Sequence, residues 1–298
     1  MASLYTHQDR NRNKTWFLMT LFLVLVILVG WVFSLYFETT FILYFAIFFA
    51  LFMNILGYWF SDKIVLKMAG AKEVRREEHF DLYNIVENLA ITAGLPKPKV
   101  YIIEDPTPNA FATGRDPEHA VVAFTTGLLK TLDKTEIEGV AAHEMAHIGN
   151  RDTLLQTAVV VLVGFITLLA DMFFRANMYG NSRRDGRAGL IIFLIALVLS
   201  ILAPVVAQLI KLAISRKREF MADASGALLT RYPEGLASAL EKISSHSGTM
   251  KRANHATAHL FIDDPFGARK DRTKFLTRIF MTHPPTEERV SALRGSAL

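Results

Sequence analysis

Four long runs of apolar residues limit what this chain can fold into more than any other feature of its sequence. They cover residues 16–37, 41–60, 154–174 and 189–210. At about 1.5 Å of rise per residue, a helix of this length crosses a hydrocarbon core of about 30 Å. The hydrophobic fraction of 51% and the mean hydropathy of +0.27 agree with this interpretation. The sequence therefore predicts a mainly α-helical membrane protein with four hydrophobic helices.

Basic residues flank the first two runs on the side away from their connecting turn. They are Arg10, Arg12, Lys14, Lys63, Lys67, Lys72, Arg75 and Arg76. A cleaved signal peptide is disfavoured because the first run exceeds the usual apolar region of roughly 7 to 15 residues and a second run follows at once. The positive-inside bias predicts that both flanks are cytoplasmic and that the turn at Thr39 faces outside.

Whether the last two runs cross the bilayer stays open at this stage. The loop between residues 154–174 and 189–210 is rich in arginine and would lie outside if both runs crossed, against the positive-inside bias. The predicted organisation is an N-terminal transmembrane hairpin, a cytoplasmic domain in two parts, and a second hydrophobic hairpin between these parts. The N-terminal hairpin covers residues 1–62 and the second hairpin residues 153–214. The two cytoplasmic parts cover residues 63–152 and 215–298.

The cytoplasmic domain is predicted to combine helices with a small sheet. Apolar residues at helical spacing indicate a helix over residues 73–93, and short β-rich runs at 99–103 and 120–124 are expected to pair. Between them lie Asn109, Ala110 and Phe111. This segment is predicted either to bind a substrate backbone as an edge strand or to be an ordinary loop.

The motif His143-Glu144-Met145-Ala146-His147 carries the chemistry of the sequence. Residues four apart share one face of a helix, so His143 and His147 can bind one metal ion, and Glu144 can take a proton from water that the metal activates. This HExxH pattern is typical of zinc-dependent peptide hydrolysis. The alternative is a chance match on an ordinary helix. This alternative is disfavoured by a capping box over residues 135–138 and by the small residues that follow it.

A catalytic zinc site needs a third protein ligand. The chain contains no cysteine, so this ligand must be a histidine or a carboxylate. The extended pattern HExxHxxGxxH fails, because Asn150 and Thr153 stand where glycine and histidine are required. Glu219 is the better candidate, with Asp223 one helical turn later to orient a ligand histidine. Spacing alone leaves open that both belong to a solvated helix face.

Taken together, these motifs resemble the HtpX-type membrane zinc metalloproteases, relatives of the CAAX prenyl proteases. The resemblance rests on the HEMAH motif, on Glu219 with Asp223, on Asn109-Ala110-Phe111, and on His283-Pro284-Pro285-Thr286 with Arg289. It covers nearly the whole chain. It implies a zincin-like (gluzincin) α+β catalytic domain and an endopeptidase that hydrolyses misfolded or damaged membrane proteins in quality control. The implied location is the bacterial inner (plasma) membrane, with the catalytic domain in the cytoplasm.

Carried over residue by residue, the resemblance implies one zinc ion per chain and a role for each matched position. His143, His147 and Glu219 would be ligands, Glu144 the general base, and Asp223 the partner of a ligand. Asn109, Ala110 and Phe111 would meet the polypeptide substrate. His283 would donate to the oxyanion of the tetrahedral intermediate, and Arg289 would support the site.

Other functions find little support in the sequence. The basic residues lie mostly beside hydrophobic runs, where lipid headgroups explain them better than nucleic acid does. No GxxxxGK[ST] phosphate loop is present, so no nucleotide is expected to bind. His246, His255 and His259 fall in a polar stretch that indicates a mobile loop, and they receive no role. The competing hypothesis is a catalytically silent membrane scaffold with a structural metal.

Overall fold

The structure is a computed structural model and describes residues 4–179, 215–254, 256–267 and 284–295. The helices are α1 Leu4–Tyr36, α2 Thr40–Trp59, α3 Ser61–Ala69, α4 Phe80–Ala93, α5 Thr126–Thr131, α6 Lys134–Gly149, α7 Asp152–Tyr179, α8 Arg216–Thr230, α9 Pro233–Ser245 and α10 Thr286–Gly295. The strands are β1 Ala71–Glu73, β2 Lys99–Ile103, β3 Ala110–Thr113 and β4 Val121–Thr125.

Helices α1 and α2 form the predicted hairpin. Within the described residues, two helical stretches are long and apolar enough to cross a membrane, Asn11–Leu35 and Thr40–Trp59. The third apolar run is helical within α7, whereas the fourth, residues 189–210, lies outside the described residues. At one end of the hairpin the Trp16 ring stacks on Tyr58 at 5.6 Å between ring centroids. Tryptophan and tyrosine are enriched where a membrane helix meets the interface, so this pair indicates an interfacial end.

The sheet has four strands in the order β1-β2-β4-β3. The predicted pairing of residues 99–103 with the next β-rich run is confirmed, because β2 and β4 run parallel from Lys99 opposite Val121 to Ile103 opposite Thr125. Strand β1 pairs with β2, and strand β3 pairs with β4, both in antiparallel orientation. The segment that begins at Ala110 is thus an edge strand of the sheet.

Both faces of the sheet are buried, which explains the continuous apolar run in β4. Val122 and Phe124 pack into a core with α4, α6 and α9. Val121 and Ala123 point the other way, into a core formed with α1, α3 and α7. Successive side chains of a strand alternate between the two faces. The sheet therefore joins the helix that carries HEMAH to the hydrophobic helices.

Two local predictions are corrected by the structure. The helix predicted from residue 73 begins only at Phe80, because Ala71–Glu73 pairs with β2 as a strand. The capping box of α6 lies at Asp133 and Glu136, two residues earlier than predicted. Helices α6 and α7 are separate, with Arg151 at a left-handed φ of 55° between them.

Candidate metal centre

The two histidines of the HEMAH motif lie on one buried face of α6. His143 and His147 are 1% and 5% exposed, and their Nε2 atoms are 3.2 Å apart. Two imidazole nitrogens bound to one tetrahedral zinc at 2.0–2.1 Å would be separated by about 3.3 Å. The spacing of the two ring nitrogens thus suits two ligands of one metal ion.

Helix α8 supplies the third donor. The carboxylate of Glu219 lies 3.8 Å from Nε2 of His143 and 3.7 Å from Nε2 of His147. The side chains of His143, His147 and Glu219 offer ligand atoms that all lie within 4.8 Å of one another. This is the set that the sequence suggested, brought together from positions 76 residues apart in the chain (219 − 143).

Glycine allows α8 to approach α6 closely. A Cβ atom at Gly226 would lie 2.9 Å from the backbone nitrogen of His143. Real Cβ atoms do not come that close without displacement of the neighbouring chain, so a larger residue here would move α8 outward. The close contact sets the depth at which Glu219 and Asp223 meet the histidines.

Each histidine has a carboxylate beside its other ring nitrogen. Nδ1 of His143 lies 2.9 Å from Oδ1 of Asp223, and Nδ1 of His147 lies 3.0 Å from Oδ2 of Asp152. A carboxylate in this position fixes the proton on Nδ1 and leaves the Nε2 lone pair for a metal. Both Nε2 atoms therefore face the same space as Glu219, where an unprotonated Nε2 can bind a metal.

The two histidines differ in charge when no metal is bound. Burial lowers the pKa of His143, and the opposing effect of Asp223 does not restore it. Burial also acts to lower the pKa of His147, but the hydrogen bond with Asp152 and the charge of Glu219 outweigh it and raise that pKa to about 9. A metal ion must therefore displace a proton from His147 at neutral pH.

The remaining predicted site residues are placed as follows. Glu144 follows His143 on α6 and is buried, 1% exposed. Arg289 on α10 donates from Nε and Nη2 to the two oxygens of Asp223 at 2.8 and 2.7 Å. His283 lies outside the described residues.

The segment predicted to meet the substrate is occupied by contacts within the chain. The amide of Asn109 donates to the backbone oxygen of Asp263 at 3.0 Å, and the carbonyl of Ala110 accepts from the backbone nitrogen of Ile262. The ring of Phe111 is fully buried and packs edge-on against Phe261. The edge of β3 is thus not open at Ala110, and substrate contact by this segment stays a prediction.

The interpretation of the histidine-rich stretch as a mobile loop is wrong for His259. This side chain is 3% exposed, and its Nε2 lies 3.2 Å from the carbonyl of Gln156 on α7. His246 ends α9, and His255 lies outside the described residues. The polar sequence did not reveal this burial because the packing partner is about a hundred residues away.

Sequence reasoning missed Asp152. None of the predicted motifs included it, yet its side chain is fully buried beside His147. The available signal was an acid at the first position of a long apolar helix, five residues after a ligand histidine. A carboxylate in that position is costly to bury unless it has partners, so it indicates a site.

An HExxH helix with a carboxylate donor from a second helix could hold a metal ion, and such an arrangement is typical of metallopeptidases. The comparisons with known proteins agree with that class. The chain belongs to Peptidase family M48, which it matches over residues 76–297, and it is a metalloprotease. The resemblance to HtpX-type proteases is confirmed.

The most similar relatives include two bacterial proteins that are each named Protease HtpX homolog. That of Caldanaerobacter subterraneus subsp. tengcongensis is 48% identical over 300 residues, which span 98% of this chain and 98% of the relative. That of Dictyoglomus turgidum is 46% identical over 293 residues, which span 98% and 94%. The crystal structure of S. mikatae Ste24p aligns with a TM-score of 0.49 at 19% identity and covers 93% of this chain and 62% of that longer one.

Proposed function

We propose that this protein is a membrane-bound zinc endopeptidase that cleaves misfolded or damaged membrane proteins on the cytoplasmic side of the bacterial inner membrane. The observation that carries the proposal is the convergence of His143, His147 and Glu219, whose ligand atoms lie within 4.8 Å of one another. Their nitrogen and oxygen donors suit zinc, and the spacing of the two Nε2 atoms suits tetrahedral coordination. Zinc bound there would polarise the scissile carbonyl and acidify water.

Glu144 has the position of a general base. It follows a ligand histidine directly on α6 and is 1% exposed. Its negative charge is one of the contributions that raise the pKa of His147. In the proposed reaction its carboxylate takes a proton from the attacking water and passes it to the amine of the departing peptide. Positioned proton transfer of this kind contributes typically 10²- to 10⁴-fold to the rate.

The proposed substrate class follows from the position of the centre relative to the hairpin. Asn11 of α1 contacts Asp152 beside the metal ligands, and the interfacial Trp16 lies five residues further along the same helix. Five residues of helix span about 7.5 Å. A centre this close to the membrane surface suits polypeptides that emerge from the bilayer.

The competing scaffold hypothesis requires a metal site closed by four protein ligands. In the part of the chain that the structure describes, three side chains form the cluster. Three protein ligands with a fourth position for water are typical of a catalytic zinc site. The predicted organisation into 1–62, 63–152, 153–214 and 215–298 is retained as part of the proposal.

The test replaces Glu144 with glutamine in the full-length protein and measures both zinc content and cleavage of an unfolded reporter polypeptide. Glu138→Gln is the matched control, because Glu138 lies on the same helix outside the site. We expect Glu144→Gln to retain zinc and to lose cleavage at least a hundredfold, while Glu138→Gln stays near the unaltered protein. Similar cleavage rates in the two variants would exclude the proposed role of Glu144.

A further inference from the structure

A carboxylate beside His147 connects the metal centre to the first hydrophobic helix. Asp152 is the first residue of α7, and its side chain is fully buried. Its Oδ2 lies 3.0 Å from Nδ1 of His147, and its Oδ1 accepts a hydrogen bond from Nδ2 of Asn11 at 2.7 Å. The Nε of Arg218 lies 3.4 Å from the same Oδ1.

The two oxygens of Asp152 thus contact residues of three elements, α6, α1 and α8. Oδ2 faces the ligand helix α6, where it can hold the proton of His147 on Nδ1 and fix the plane of the ring. Oδ1 faces α1, whose Asn11 also donates to the carbonyl of Asn150 at 3.2 Å. That carbonyl lies just after the end of α6, so one amide holds both the carboxylate and the break between α6 and α7.

Asn11 is not placed there by apolar packing. It is 5% exposed and begins the apolar stretch Asn11–Leu35 that is long enough to cross a membrane. Leucine or alanine would fill the same helix position without the cost of burying an amide. Its neighbours one and two turns on, Thr15 and Leu18, are also buried, and Leu18 packs in the same core as residues of α7. A buried amide aimed at a buried carboxylate therefore marks a specific polar contact.

We propose that Asp152 is a positioning residue for His147 and that Asn11 on α1 holds Asp152 in this role, so that the first hydrophobic helix forms part of the metal centre. This inference rests on the proposed metal site and deepens it. The arrangement at His143 is similar, because Asp223 lies beside the Nδ1 atom of His143 and Arg289 holds Asp223. The contact of Asn11 with Asp152 also makes the geometry of the centre depend on the docking of α1 against α7.

The experiment compares four variants of the full-length protein in detergent: Asn11→Leu, Asp152→Asn, the double variant with both of these changes, and Asn54→Leu. Asn54→Leu is the matched control, because Asn54 is an amide of α2 whose Nδ2 donates to the carbonyl of Ala50 within its own helix. The apparent zinc affinity of each metal-free protein is measured by competition with a chromophoric chelator. The visible spectrum of the cobalt-substituted protein reports the geometry of the ligands, and thermal unfolding of the metal-free form reports stability.

Asp152→Asn is expected to weaken zinc binding by about 10- to 100-fold, because an amide offers one oxygen to two donors. Asn11→Leu is expected to weaken it by a smaller factor and to change the cobalt spectrum, whereas Asn54→Leu changes neither. In the Asp152→Asn background, Asn11→Leu is expected to cause little further loss, since both act through the same contact.

Unaltered zinc affinity in Asp152→Asn would overturn the role of Asp152. Equal affinity and identical cobalt spectra in Asn11→Leu and Asn54→Leu, with a lower unfolding temperature in Asn11→Leu, would make Asn11 purely structural and overturn its role. If Asp152→Asn does not fold, the comparison of Asn11→Leu with Asn54→Leu decides the inference alone. These readouts need no substrate, so they stand apart from any failure of the proposed peptidase activity.

Discussion

Arg289 and Asp223 form a bidentate ion pair in which both side chains are about 2% exposed. Burial alone raises the pKa of Asp223, but the guanidinium of Arg289 outweighs it and lowers that pKa to about 2. The pair lies behind His143, so it links the metal centre to α10. Asp223 is thus kept ionised at every physiological pH.

Removal of Arg289 should be strongly destabilising. Arg289→Met leaves a buried carboxylate without its cation, which typically costs about 3–5 kcal/mol in the free energy of unfolding. Arg294→Met is the matched control, because Arg294 pairs with Glu234 and Glu241 on the surface. Exposed pairs contribute about 0–1 kcal/mol. Equal unfolding midpoints for the two variants would contradict this account.

The same ion pair predicts how stability depends on pH. A carboxyl whose pKa is lowered on folding stabilises the folded state above its unfolded pKa of about 3.9. This contribution should be lost as the pH falls from about 4 toward 2, through the lowered pKa of Asp223. The loss of stability over that interval should be smaller in Arg289→Met than in the unaltered protein. An equal loss of stability in both proteins would show that the ion pair does not cause this pH dependence.

Glu219 and Asp223 are expected to differ in what their removal does. Glu219→Ala deletes one of three ligands, so the purified protein should contain little zinc and show no cleavage. Asp223→Asn keeps all three ligands and should lose about 10- to 100-fold in affinity or activity. Glu77→Ala, which removes an exposed carboxylate, serves as control for metal content. Stoichiometric zinc in Glu219→Ala together with a metal-free Asp223→Asn would show that Asp223 is the metal ligand and that Glu219 is not.

Gly226 offers a test of the close packing of α8 on α6. Gly226→Ala puts a methyl group 2.9 Å from the backbone of His143 and should move Glu219 away from the histidines. Overpacking of this kind typically costs about 1–3 kcal/mol. A Cβ at Gly295 meets no atom within 4 Å, so Gly295→Ala is the control and should be close to neutral. Unchanged stability and zinc affinity in Gly226→Ala would refute the packing argument.

The parts of the structure that depend on local spacing could be predicted from the sequence. His143 and His147 share a face because they are four residues apart, and residues 99–103 read as a strand because of their β-rich composition. Partners set by tertiary packing could not be predicted. Asp152 reaches His147 across a break between two helices, and Asn11 contacts Asp152 although the two residues are 141 positions apart in the chain.

The burial of loops is equally invisible to local pattern. His259 lies in a polar stretch, and only its contact with α7 buries it. Asn109 likewise uses its amide to hold the backbone of Asp263. Both contacts join residues more than a hundred positions apart, so no periodicity records them. The start of α4 was misplaced by several residues and the capping box of α6 by two, because short strands and caps compete with helical periodicity.

The proposed topology is directly testable because the chain has no cysteine of its own. A cysteine at Thr39, in the turn between α1 and α2, should react with a membrane-impermeant maleimide added outside intact cells. One at Lys72, after α3, should react only once the membrane is opened. The basic flanks of the hairpin give this expectation. The reverse labelling pattern would place the metal centre on the outer side.

The measurement that tests the central claim most directly is metal removal and return. The full-length protein is purified, its metal is removed with a chelator, and cleavage of an unfolded polypeptide is followed before and after zinc is added. The account predicts that cleavage is lost on removal and is restored by about one equivalent of zinc, while Glu144→Gln binds that zinc without recovering activity. Cleavage that continues at the same rate without any metal would contradict it.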